Sequence, residues 1–122
     1  MDNSGSIHLL VPDYPATGAT VTVPLRGMVV AVGVVYNFFD VYSTTMDLSI
    51  TEVNTNQPDQ TILEISAGDT DGWFYPVKNI CDDQGAAITD QYSIGVPVYG
   101  DVEITISNAA PGDSMDITFK LV

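Results

Sequence analysis

Apolar and polar residues alternate along most of this chain with a period of two. That spacing places successive side chains on opposite faces of a strand. Residues 19–25 read ATVTVPL, with Val21 and Val23 on one face and Thr20 and Thr22 on the other. Residues 46–53 begin by setting Met46, Leu48 and Ile50 against Asp47, Ser49 and Thr51. Residues 101–107 set Val102, Ile104 and Ile106 against Glu103 and Thr105, and residues 114–122 set Met115, Ile117, Phe119 and Leu121 against Asp116, Thr118 and Lys120. Residues 28–40, MVVAVGVVYNFFD, are too apolar to keep a whole face in water, so they predict a central strand with a bend at Gly33. Residues 7–11 and 61–66 predict two more strands; in the second, Leu63 and Ile65 share a face while Ile62 falls with Glu64. Residues 73–77 predict a short aromatic strand, and residues 92–99, which contain Pro97, predict an edge strand or a partly irregular segment. No window carries a sustained helical period.

Turn residues punctuate these runs, among them Arg26-Gly27, Ala67 to Gly72, Asp82 to Gly85, Tyr99-Gly100-Asp101 and Ala110 to Asp113. About eight short strands at this spacing predict an all-β fold, an antiparallel sandwich or barrel. Residues 77–92 are the longest stretch without a clear strand and read as a loop, a place where function often resides. No repeat or linker divides residues 1–122, which are expected to form one domain. Residues 1–20, with Gly5, Pro12, Pro15 and Gly18, read either as an edge strand with a frayed tip or as an arm that orders on a neighbour.

Composition narrows the function. The 122 residues fit one domain with its own core. Sixteen acidic residues, 13 of them Asp, face only Arg26, Lys78 and Lys120, for a net charge of -13. Nucleic-acid binding needs several phosphate contacts from Lys or Arg, so it is excluded, and an anionic membrane is disfavoured for the same reason. Charged residues are nonetheless only 16% of the chain against 45% hydrophobic, the balance of a folded protein. The lone Cys81 allows no internal disulfide and no cysteine-rich zinc site. The first residues lack the basic and apolar regions of a signal peptide, and the longest apolar run, residues 28–36, is far short of the roughly 20 residues of a membrane helix. Synthesis in a reducing cytoplasm is the expectation.

Catalytic chemistry finds little footing. His8 is the single histidine, in an apolar segment, and Cys81 lies beside two Asp, where a thiolate is disfavoured. No phosphate-binding glycine loop is present. An enzyme is therefore not expected, nor a cofactor. For metal, Asp69-Thr70-Asp71-Gly72 places two carboxylates two residues apart, with Asp82 and Asp83 about ten residues on. Calcium takes such oxygens, but the full EF-hand spacing is missing, so Asp69, Asp71, Asp82 and Asp83 are weak calcium candidates beside the plainer reading of Asp-rich turns. Trp73 and Tyr75 share one face of their strand and Phe74 takes the other. With one face in the core, Trp73, Tyr75, Tyr92 and Tyr99 are candidates for partner contact or for stacking on a sugar.

The C-terminal half reads DGWFYPVKNICDDQGAAITDQYSIGVPVYGDVEITISNAAPGDSMDITFKLV. Its W-F-Y-P strand end, the segment I-G-V-P-V-Y-G-D-V-E-I-T-I, the G-D-S turn and the final alternating strand resemble small tailed-phage virion proteins, in particular capsid decoration (cement) proteins with a jelly-roll-like β-sandwich. The resemblance covers about residues 60–122; over residues 1–59 it extends only to the strand pattern. It implies a structural virion protein, made in the host cytoplasm and placed on the outer capsid surface. Its implied partner is the major capsid protein, held by non-covalent contacts, and its implied assembly is a homotrimer. Neck and tail-fibre modules are related, and a carbohydrate-binding module, with or without calcium, is the alternative. The charge adds that copies should meet away from their Asp-rich turns and that a partner should present Lys or Arg, so that docking weakens as salt rises.

Overall fold

The computed structural model describes residues 5–39, 44–81 and 83–122. Residues 1–4, Asp40 and Asp82 therefore lie outside the described residues. The described chain is all-β and antiparallel, with nine strands: β1 (Gly5–Leu10), β2 (Ala19–Asn37), β3 (Met46–Val53), β4 (Gln60–Gly68), β5 (Gly72–Phe74), β6 (Val77–Cys81), β7 (Ala87–Ile94), β8 (Val96–Ser107) and β9 (Ser114–Leu121).

Strand β2 organises the fold. Its first part pairs with β8, from Ala19 opposite Ile106 to Val29 opposite Val96. Its second part pairs with β9 on one side and with the short β5 on the other. The register slips between Val29 and Ala31, a bulge that shifts the inward side chains from odd to even positions. Val21, Val23, Leu25 and Val29 face the core before it; Val32, Val34 and Tyr36 do so after it. Divided at that bulge, β2 serves two layers of four strands. One runs β1-β9-β2-β5 and the other β2-β8-β3-β4, together one seven-stranded sheet that gives a sandwich-like all-β fold. Among the described residues the one register irregularity along β2 falls between Val29 and Ala31, and Gly33 has a task of its own.

Both layers contribute to one core. Met46, Leu48 and Ile50 of β3, Val102, Ile104 and Ile106 of β8, and Met115, Ile117 and Phe119 of β9 are buried. Truncating any of these to Ala costs about 2–5 kcal/mol. A slip in the β3–β4 register between Ile50 and Thr51 explains the untidy pattern of β4. It inserts Ile62 as an extra residue, which turns into the core while Glu64 stays exposed.

Tertiary pairing overrides two turn signals. Arg26 lies opposite Tyr99, Leu25 opposite Gly100 and Pro24 opposite Asp101, so the expected turns at Arg26-Gly27 and Tyr99-Gly100-Asp101 face each other inside one unbroken ladder. The buried carboxylate of Glu52 supports this stretch: Oε2 accepts from the Tyr99 N–H at 3.0 Å and Oε1 from Gln60 Nε2 at 3.2 Å. The strand expected at residues 92–99 is therefore split between β7 and β8, and the break falls at Gly95. Its φ of +86° is costly for other residues, and an added Cβ would lie 2.7 Å from Met28 Cγ.

The expected loop at residues 77–92 is also a correction. β6 and β7 form a separate two-stranded sheet, with Val77 opposite Ile94 and Asn79 opposite Tyr92. The Gly95 N–H donates to the Pro76 carbonyl at 3.0 Å and closes its base. This hairpin is an insertion between β5 and β8, the last strand of one layer and a central strand of the other.

Candidate docking surface

Gly33, Thr118 and Ser6 form a row across the outer face of the β1-β9-β2-β5 layer, and Trp73 of β5 extends it. Gly33 makes room for the indole. A Cβ on Gly33 would lie 2.9, 3.0 and 3.1 Å from Cζ3, Cη2 and Cε3 of Trp73. Near-equal distances to three consecutive ring atoms mean that the ring lies face-on over the glycine. The Lys120 ammonium is 4.4 Å from the ring centroid, a cation–π contact. Beside them is a cleft of about 300 Å³ lined by Val35, Asp71, Gly72 and Thr118 as well as Gly33 and Trp73.

Of the acidic candidates, Asp71 ties the β4–β5 connection to β2: its Oδ1 accepts from the Tyr36 backbone N–H at 2.8 Å. Asp69 accepts from the Thr70 hydroxyl at 2.9 Å. Asp83 sits exposed in the β6–β7 turn, and Asp82 lies outside the described residues. Among the described residues no three His, Cys, Asp or Glu side chains gather around one point. His8 Nδ1 lies 2.6 Å from Asp116 Oδ1, and Asn37 donates to the other oxygen of that carboxylate at 3.3 Å.

The loop beneath the acidic pair covers Tyr36. This residue stacks on Phe38, with centroids 6.0 Å apart and planes within 1°. Its hydroxyl is buried and has no hydrogen-bond partner among the described residues. Burial, then the charges of Asp69 and Asp71, hold the phenol above its usual range.

The aromatic candidates occupy three places. Trp73 is half-covered by Gly33 and Lys120, while Phe74 turns to the core. Tyr75, 68% exposed, follows β5 at the approach to the hairpin. Tyr92 is 56% exposed on β7. Tyr99 projects from β8 opposite Arg26, and it too is exposed. Tyr92 shares one hairpin face with Val77 and Ile94, which are 50% and 76% exposed. These two aliphatic residues went unread in the sequence. The signal was present: Ile88, Asp90, Tyr92 and Ile94 alternate with Thr89, Gln91 and Ser93.

The hairpin thus presents an exposed face on which Val77 lies directly opposite Ile94 and Tyr92 lies beside them, opposite Asn79. An isolated two-stranded hairpin is marginally stable in water, and exposed apolar patches of this kind mark contact sites. No protein-family model, no curated protein and no solved structure matches this chain.

Proposed function

We propose that this chain is a structural protein of a tailed-phage particle, a decoration protein that stabilises the head by seating its β6–β7 hairpin on the major capsid protein. The observation that carries this reading is the apolar hairpin face of Val77, Tyr92 and Ile94, which the rest of the described chain leaves uncovered. The sandwich-like core supplies a rigid support for it. A ligand that binds only the assembled shell stabilises that shell by mass action. With a net charge of -13, the chain fits a partner whose contact patch combines apolar side chains with Lys or Arg. The carbohydrate-binding alternative is less favoured, because Gly33 and Lys120 already engage the Trp73 ring on which a sugar would stack.

The test is co-sedimentation with expanded capsids of the particle whose genes adjoin this one. Wild-type protein should pellet with the shells, less so as salt rises, and Ile94→Asp should stay in the supernatant. A wild-type chain that ignores the capsids sinks the proposal. So does an Ile94→Asp variant that pellets as well as wild type.

A further inference from the structure

Five stretches of the two layers have an open edge among the described residues: β1, β4, β5, residues 19–27 of β2 and residues 96–100 of β8. Natural sheets blunt such edges with charge, proline, bulges or brevity, because an unpaired row of N–H and C=O groups is a template for another strand. Four of the five are blunted in these ways, residues 96–100 of β8 by Pro97 and by the Glu52 and Gln60 side chains that bond their backbone. β5 has three residues; β4 carries Glu64 and two register slips; the open stretch of β2 carries Pro24 and Arg26. β1 has none of these devices. Its sequence, GSIHLL, contains no Asp, Glu, Lys, Arg or Pro, and it pairs with β9 in six consecutive positions without a slip.

The backbone polarity of this edge can be read. The Val11 N–H donates to the Asp113 carbonyl at 2.8 Å, in register with the β1–β9 ladder. Antiparallel hydrogen bonding alternates along a strand. Odd residues of β1 therefore bond β9, and Ser6, His8 and Leu10 turn their N–H and C=O groups to the open side. Odd residues also carry the inward side chains: Leu9 is buried and Ile7 packs on the core, while Ser6, His8 and Leu10 are exposed.

We infer that β1 pairs antiparallel with β1 of a second copy of this chain. Charge selects this partner. Two chains of -13 meet most easily over a surface free of uncompensated carboxylates. On this flank the exposed outer side chains of β1 and β9 include His8 beside Asp116 and the cation of Lys120. The β3-β4 flank instead carries Asp47, Glu64 and Asp59. Symmetry fixes the register. Inward residues must face inward residues, which allows a two-fold axis at any single residue of β1 but not between two residues. Only the axis at His8 uses all three outward residues, setting His8 opposite His8 and Ser6 opposite Leu10 of the second copy. Ile7 then meets Leu9, extending the apolar inner face across the junction. This isologous contact closes at two copies rather than the three that the phage resemblance implies.

Sedimentation velocity over a concentration series tests the pairing. Wild type should move from 13.1 kDa toward twice that mass as concentration rises. Amide exchange at Ser6, His8 and Leu10 should slow over the same range by about tenfold or more, while Ile7 and Leu9 stay protected throughout. His8→Pro removes an outward N–H and leaves the β9 ladder intact, so it should give monomers with an unchanged circular dichroism spectrum. Ser6→Pro is the second variant, should the first fail to fold. Ile94→Asp on the hairpin should still dimerise, which separates this contact from capsid docking. A wild type that stays monomeric at every concentration, a trimer, or a dimer that survives both proline variants overturns the inference.

Discussion

The indole of Trp73 lies face-on over Gly33, the residue directly opposite it on the neighbouring strand. A strand glycine leaves a hole in the sheet surface, and an aromatic residue on the next strand fills it. The same ring receives the Lys120 ammonium, so three strands, β2, β5 and β9, meet at one side chain. Because Trp73 is the only tryptophan, its fluorescence reports on this junction alone. Gly33→Ala should push the ring outward, shift its emission to the red and lower stability by about 1 kcal/mol. An unshifted spectrum would show that the ring does not rest on the glycine.

Tyr36 offers a substitution that should help the fold. A buried hydroxyl without a partner costs about 1–3 kcal/mol. Tyr36→Phe deletes that group and keeps the stacking on Phe38, so urea unfolding should give equal or greater stability, by up to about 1 kcal/mol. The raised phenol pKa adds a pH signature. The contribution of the bound proton is fully present below the ordinary value of 10.0 and is lost as pH rises through the higher folded value. Wild type should therefore weaken at strongly alkaline pH more than Tyr36→Phe. A variant that is clearly less stable at neutral pH would contradict this picture.

Asp113 should be the most sensitive acidic position. Its carboxylate is fully buried and accepts from the Phe39 N–H at 2.9 Å and from the Ala110 N–H at 3.0 Å. Its own carbonyl accepts from Val11. One residue thus fixes the start of β9 to the ends of β1 and β2. Asp113→Ala strands the two N–H donors and should cost about 3 kcal/mol in chemical denaturation, against about zero for the exposed Asp101→Ala.

Asp47 should govern part of the acid limb of stability. Its carboxylate accepts from the Ala67 N–H at 2.7 Å and from the Asn108 side chain, and these bonds hold its pKa below the usual 3.8. Ala67 and Asn108 both have left-handed backbones, with φ of 51° and 52°. The carboxylate therefore steadies two strained corners at once. For a lowered pKa, the stabilisation is present above the unfolded value and is lost as pH falls through the folded one. Melting temperature measured from pH 5 down to pH 2 should fall less steeply for Asp47→Asn than for wild type.

The alternating runs at residues 46–53, 101–107 and 114–122 made their strands and inward faces legible in the sequence, because period-two alternation is imposed by the half-buried sheet itself. The all-β class followed from those runs, and so did the placement of Asp at turns. Of the partner-contact candidates, Trp73, Tyr75, Tyr92 and Tyr99 all retain exposed surface. Their neighbours were hidden, because Val77 and Ile94 become a shared face only when β6 and β7 are paired.

Local signals failed where a distant strand decided the outcome. Arg26-Gly27 and Tyr99-Gly100-Asp101 each favour a turn in isolation, yet they lie opposite one another and are carried straight by mutual hydrogen bonding and by Glu52. Gly33 carries a bend signal, and its lack of a side chain serves the Trp73 ring, 40 positions later in the chain. The charge of -13, the scarcity of cations and the β character were fixed by the sequence alone, since they depend on residue type and local spacing. The bulge that lets β2 join two layers, the projecting hairpin and the unblunted β1 edge were decided by the tertiary structure, since each exists only through the partner a strand has, or lacks, on either side.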